Sequence, residues 1–329
     1  MVRNFGPVIA PILKALATAA KRERKSFGSF ATNNLFLAAL ALPGAGAFVF
    51  LLGALIILFP LSADPLRKIP ADRLPLWPLS KSDLRKLRML TPWLNPLTWA
   101  LLALTLWTFR HNESLGILGL LLCFFAIGFF APSFGGGEPF WLRWLPAGLV
   151  GKSIREMLLT LDVYVALLLS LACMAYRVTM PALPAEAMMA MTLLVVLAIS
   201  SYAQCLFGLE SSGGLTRYQL LPLPGWRILA AKDVAYLSVA VILTLPLAPL
   251  AGLAGALTAL TFGHAPSVEE RREQTRWRFS SGVSIPKGIL QTIAIAGACV
   301  TAYRISLLIL IPCALACAGT TWWYGRKLC

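Results

Sequence analysis

The chain alternates long apolar runs with short charged stretches. Read with loose ends, the apolar runs cover 34–60, 94–109, 114–134, 157–176, 187–208, 234–262 and 289–324. They are apolar all round, and about 20 such residues carry a helix across a bilayer. The pattern predicts an all-α, polytopic integral membrane bundle over 34–329. Residues 6–20 are moderately apolar but carry Lys14. They read as a helix lying along the membrane surface, so 1–33 is expected to be a basic amphipathic segment. The first apolar run, behind Lys21, Arg22, Arg24 and Lys25, is longer than the apolar part of a cleaved signal peptide.

Cation placement sets the expected sidedness. Lys and Arg number six in 1–33, seven in 61–93, three in 135–156, three in 209–233, five in 263–288 and two in the tail, against one each in 110–113 and 177–186. With the richer stretches in the cytoplasm, 94–109 pairs with 114–134 and 157–176 with 187–208 as hairpins. The run 289–324 is too long for one span and has Arg304 near its middle. A hairpin turning near Arg304, with short and partly interfacial arms, keeps that charge out of lipid. The runs 34–60 and 234–262 have basic flanks on both sides, so each crosses an even number of times or re-enters. Both contain helix breakers: Pro43-Gly44-Ala45-Gly46 in the first, Pro246, Pro249, Gly252 and Gly255 in the second. A compact hairpin, a re-entrant segment and a kinked span all fit. The span count is six to ten, with eight as the working value.

Composition agrees. Of 329 residues, 58% are hydrophobic and 13% charged, with a mean hydropathy of +0.75, which excludes a soluble enzyme or a disordered chain. A net charge of +15 would suggest nucleic acid in a soluble protein; here the cations sit between apolar runs, where anionic headgroups account for them. Six of the seven cysteines lie inside apolar runs, no CxxC occurs, and His111 and His264 are the only histidines. No metal or cofactor site is expected.

Two cytoplasmic stretches look alike. Leu76-Trp77-Pro78-Leu79-Ser80-Lys81 continues to Lys86, and Leu220-Leu221-Pro222-Leu223-Pro224-Gly225-Trp226-Arg227-Ile228-Leu229 continues to Lys232. Each reads as a turn followed by a short amphipathic helix beginning at Ser80 or Pro224. Their offset of 144 residues points to two related halves, 34–156 and 157–329. Gly148-Leu149-Val150-Gly151-Lys152-Ser153 is not a phosphate loop, because Pro146 stands where the first Gly is required and no strand precedes it. Three polar residues within apolar runs are further candidates: Asp162, Gln204 and Arg304. Asp162, close to the end of its run, is expected to be solvated at the interface.

Phe207-Gly208-Leu209-Glu210-Ser211-Ser212-Gly213, the Leu-rich segment after it, Pro222-Leu223-Pro224 and Ala231-Lys232 together resemble a pattern of ABC-2-type exporter permeases. Pro78-Leu79-Ser80 looks like the turn's counterpart in the first half. Gly263-His264-Ala265-Pro266-Ser267-Val268 resembles a Gly-Asn-x-x-Ser element before a cytoplasmic loop, with His264 in place of Asn. The resemblance implies a permease of the bacterial cytoplasmic membrane, a homodimer or heterodimer with no catalytic site of its own, driven by a separate ATPase that docks on the short helices. The docking candidates are Trp77, Lys81, Pro222, Pro224, Trp226, Arg227 and Lys232. A non-transport scaffold or orphan permease-like protein is the alternative reading. A lipid-modifying membrane enzyme is the third, and would need a His/Asp/Glu cluster that two scattered histidines do not suggest.

Overall fold

The computed structural model describes residues 33–35, 38, 80–90, 99, 103, 148–179, 184–210, 218, 220, 222–270, 279–282 and 284–328. The chain divides into two units, residues 1–28 with 50–140, and 29–49 with 141–329. All regular structure among the described residues is helical.

In the first unit, α1 spans Lys81–Leu90. Ser80 and Asp83 cap it reciprocally: the Ser80 hydroxyl and backbone N–H donate to Asp83 Oδ2 at 2.6 and 3.1 Å, and Asp83 N–H donates to Ser80 Oγ at 3.2 Å. Asp83 and Leu87 are buried while Ser82, Arg85 and Lys86 are exposed, the two-faced helix expected after Ser80. The hairpin over 94–109 and 114–134 lies outside the described residues except for Trp99 and Ala103. So does 34–60 beyond residues 34, 35 and 38.

In the second unit α2, Leu149–Met157, is followed by α3 (Leu161–Thr179) packed against α4 (Ala185–Ala203), by α5 (Gly225–Thr244) packed against α6 (Pro249–Glu269), and by α7 (Ile285–Arg304) and α8 (Leu310–Gly325), each packed against α6. A 3-10 turn, Leu307–Ile309, precedes α8. Among the described residues four stretches are long and apolar enough to cross a membrane: Leu161–Val178, Ala185–Ala203, Ile285–Arg304 and Leu307–Gly325. These features are compatible with an integral membrane protein. At a rise of about 1.5 Å per residue each reaches close to the hydrocarbon thickness of roughly 30 Å.

The run 289–324 does turn after Arg304, but its arms are full-length helices, because α7 starts at Ile285 and α8 continues through Trp322 and Trp323. The run 234–262 contains a helix–turn–helix: Leu245–Ala248 separate α5 from α6, and Pro249 occupies the first turn of α6. The expected short helix after Pro224 is not a separate element. Pro224, extended at φ −65°, is the N-cap, and helix runs unbroken from Gly225 to Thr244.

Helix α6 is the centre, packing against α4, α5, α7 and α8. Small residues let it do so. Gly255 faces Cys299, Val196 and Ile295, while Gly263 lies against the Ala203 carbonyl, leaving no room for a methyl group at either. Without a hydrophobic drive between helices in lipid, such close approach supplies the packing.

The charged ends of these helices are tied by ion pairs and hydrogen bonds. Where α3 ends and α4 begins, Arg177 donates to the Pro246 carbonyl of the α5–α6 turn, and Arg304 pairs with Glu186. At the opposite end Lys327 meets Glu269 at 2.7 Å, Lys287 pairs with Glu270, and Gly325 sits against the Trp226 backbone.

Candidate functional site

Lys232 lies two turns into α5 and is buried. Its ammonium donates to Glu210 Oε1 at 2.9 Å, to Glu156 Oε2 at 3.1 Å and to the Leu206 carbonyl at 2.8 Å, and it lies 4.7 Å from the Phe207 ring centroid. Its three N–H groups therefore all have acceptors. Lys152 of α2, half exposed, completes the group: it stands 3.5 Å from both Glu156 and Glu210 and donates to the Tyr218 hydroxyl at 2.6 Å. Tyr218 in turn donates to Glu210 at 2.7 Å. Burial, then this bond to a carboxylate, hold the Tyr218 phenol above its usual range. Two cations and two carboxylates from α2, α5 and the stretch after α4 thus neutralise one another. Glu210 Oε2 has no hydrogen-bond partner among the described residues. Lys152 is turned to carboxylates, an arrangement unlike a phosphate cradle.

Trp226 and Arg227 occupy the start of the same helix and are exposed, with the guanidinium 5.4 Å from the indole centroid. Ile228 and Leu229 behind them are buried. Pro222 and Pro224 are exposed ahead of the helix. The structure thus splits the second docking set: Trp226 and Arg227 on the surface, Lys232 inside. Of the first set, Lys81 is the first residue of α1, and Trp77 lies outside the described residues.

The intramembrane candidates fall differently. Asp162 is completely buried, not solvated. It accepts from Asn33 Nδ2 at 2.9 Å and from the Ser280 N–H and hydroxyl at 2.8 and 2.7 Å. Three donors offset the desolvation that a water contact was expected to avoid. Gln204 donates to Gln291, which also accepts from Asn34 Nδ2 at 2.6 Å and donates to the Ala259 carbonyl at 2.8 Å. Asn34 also takes Ser201 Oγ on its N–H at 2.8 Å and donates to Ser200 Oγ at 3.0 Å. Arg304 is exposed at the end of α7 in its pair with Glu186.

Sequence reading passes over Asn33 and Asn34, which sit at the edge of the basic head, and over Asp233 as a partner for His264. The latter two meet from α5 and α6: His264 Nε2 lies 2.9 Å from Asp233 Oδ1, Nδ1 lies 2.8 Å from Thr320 Oγ1, and Thr321 donates to Asp233 Oδ2 at 2.7 Å. His264 belongs to the Gly263–Val268 element, which forms the last turns of α6. A buried His on one helix and a buried Asp on another leave no mark in sequence spacing. Among the described residues no three His, Cys, Asp or Glu side chains converge to hold a metal ion.

No protein-family model matches this chain, and no match is found among curated proteins or solved structures.

Proposed function

We propose that the chain is an ABC-2-like permease subunit of a bacterial cytoplasmic membrane, paired with a second permease chain and driven by a separate ATPase. The observation that carries this reading is the Lys232–Glu210 pair. Phe207, Glu210 and Lys232 are among the residues on which the resemblance rests, Lys232 is far from the other two along the chain, and the three form one buried contact. An exposed Trp226-Arg227 step stands near the start of the same uninterrupted helix. A load applied at that step passes along α5 into the ion cluster and to α6 without crossing a flexible joint, which suits a helix moved by a partner. Trp and Arg are also the types most enriched among residues that anchor protein interfaces. Substrate transport then follows from rearrangement of α5 and α6 against the flanking spans. In this reading α5 and α6 also cross the bilayer, with their charges covered by neighbours.

Affinity purification of the full chain from its native membrane in mild detergent tests the proposal. An ABC ATPase is expected to accompany it, and the chain alone is expected to turn over no ATP. Absence of any ATPase after chemical crosslinking in the membrane, or turnover by the isolated chain that disappears in Lys152→Ala, would overturn it.

A further inference from the structure

The outer face of α8 carries an apolar stripe that ends in a cation. Ile311, Leu315, Ala318 and Trp322 are exposed at helical spacing and Arg326 follows one turn on, so all five share one side of the helix. Leu307–Gly325 is the least covered of the four apolar stretches. Ala318 and Gly319 are small, and Gly319 has open space where a methyl would go, which leaves a shallow trough between Leu315 and Trp322. From Ile311 to Trp322 the stripe rises about 16 Å at about 1.5 Å per residue, close to half of a hydrocarbon core of roughly 30 Å and hence to one leaflet.

At its charged end α8 meets the start of α5. A methyl group at Gly325 would lie 2.4 Å from Trp226 Cα. With carbon–carbon bonds of about 1.5 Å and about 3.8 Å between consecutive Cα atoms, the Cα atoms of Arg227 and Arg326 lie within about 12 Å of each other. Both arginines are exposed and lie over tryptophans, Arg326 4.7 Å from the Trp322 ring centroid and Arg227 5.4 Å from that of Trp226. Neighbouring cations are already neutralised, Lys327 by Glu269 and Lys287 by Glu270. Arg227 and Arg326 have no carboxylate within ion-pair distance among the described residues. Two unneutralised guanidinium groups thus stand near each other where the stripe ends.

We propose that Arg326 and Arg227 hold the phosphate of an anionic phospholipid whose acyl chain lies along Ile311, Leu315 and Trp322. A guanidinium presents a fork of N–H donors that matches phosphate oxygens, and stacking on an indole face leaves that edge available. Tryptophans at the end of a span sit at headgroup depth. The stripe favours a lipid over a soluble phosphate, because a charged ligand alone has no use for an apolar trough one leaflet long. Charge complementarity favours an anionic headgroup over a zwitterionic one. A zwitterionic lipid brings an ammonium to two arginines that have no carboxylate beside them to receive it, whereas phosphatidylglycerol adds negative charge alone. The site requires no ATPase and no transported substrate, so it stands apart from the permease reading. Arg326 belongs to the lipid site only, and its variants test that site without touching the Trp226-Arg227 step.

The test is native mass spectrometry of the full chain, released from nanodiscs that hold phosphatidylglycerol and phosphatidylcholine in equal amounts, with no ATPase present. Phosphatidylglycerol should be retained in preference to phosphatidylcholine. Arg326→Gln and Arg227→Gln should each lower its retention by about fivefold or more, the weight of one cation near an anionic surface, while Lys327→Gln, which removes a cation already paired with Glu269, should change it by less than about twofold. All three side chains are exposed, so the unfolding midpoint of each variant should match the parent's. Equal retention of the two lipids overturns the proposal. So does a loss from Lys327→Gln as large as that from Arg326→Gln, which would mean a diffuse positive field in place of a site. Displacement of the bound lipid by millimolar glycerophosphoglycerol, the headgroup without its chains, overturns it as well, because the stripe would then contribute nothing.

Discussion

Lys232 and Glu210 form a buried ion pair of 2.9 Å across twenty-one intervening residues, the cation on α5 and the carboxylate in the turn after α4. Removing one buried partner strands the other, which costs about 3–5 kcal/mol, whereas replacing both by apolar or neutral groups of similar size costs far less. Lys232→Met alone should therefore lower the unfolding midpoint in detergent markedly. Lys232→Met combined with Glu210→Gln should recover part of the loss. Equal destabilisation by the single and double variants would mean that the pair is not the organising contact.

The α6 interface supplies a steric prediction. A methyl group at Gly263 overlaps the Ala203 carbonyl, which is backbone and cannot turn aside. Gly263→Ala should destabilise by about 1–3 kcal/mol, the range for overpacking. Gly297 on α7 has open space where the methyl would go, so Gly297→Ala should be neutral or stabilising by up to about 1 kcal/mol. Thermal unfolding of the two variants side by side checks both signs.

Asp162 should tolerate no isostere. Its oxygens face three donors, so Asp162→Asn turns an NH₂ towards at least one of them. The expected cost is about 1–3 kcal/mol, the penalty for a buried group left unpaired. By contrast Arg304→Ala removes an exposed pair with Glu186 and should cost less than about 1 kcal/mol. Similar losses in the two variants would contradict the burial assigned to Asp162.

Acid should loosen the start of α1. The Ser80 hydroxyl bond, ahead of its backbone N–H and Lys86, holds the Asp83 carboxyl below its usual range. A group whose folded value is depressed contributes stability that is present above its unfolded value, near about 3.9, and is lost as pH falls through the lower folded value. Amide hydrogen exchange in Lys81–Leu84 should accelerate below about pH 4, beyond the intrinsic pH trend, and Asp83→Asn should remove that extra dependence.

Sidedness is open to labelling. Ser82 is exposed on α1 and Ile305 is exposed in the α7–α8 turn. Replaced singly by Cys, Ile305 should react with an impermeant maleimide outside intact cells and Ser82 should not. The reverse pattern would invert the assignment from the cation counts.

Much of the architecture can be read from local pattern. The Ser80 helix start, the α3–α4 pair and the turn after Arg304 follow from caps, apolar length and the cost of a charge in lipid. The continuation of α5 cannot be read this way. Arg227, Lys232 and Asp233 make its first turns look interfacial, because a sequence displays a charge without its partner. Glu156 and Glu210, which neutralise Lys232, and His264, which hydrogen-bonds Asp233, come from other elements. Asp162 departs from expectation for the same reason: Asn33 and Ser280 lie more than a hundred residues away on either side. Asn34 and Gln291 show the limit again, as polar residues at the ends of apolar runs that turn inward.

The central claim is that the start of α5 receives a partner. Trp226→Ala and Arg227→Ala, each in a full-length chain that inserts at normal levels, should be titrated against the ATPase that accompanies the parent. Truncating an interface anchor costs about 2 kcal/mol or more. The account predicts at least a tenfold higher dissociation constant for each variant, a step of about 1.4 kcal/mol. Binding of both variants as tight as the parent's would contradict docking at this helix.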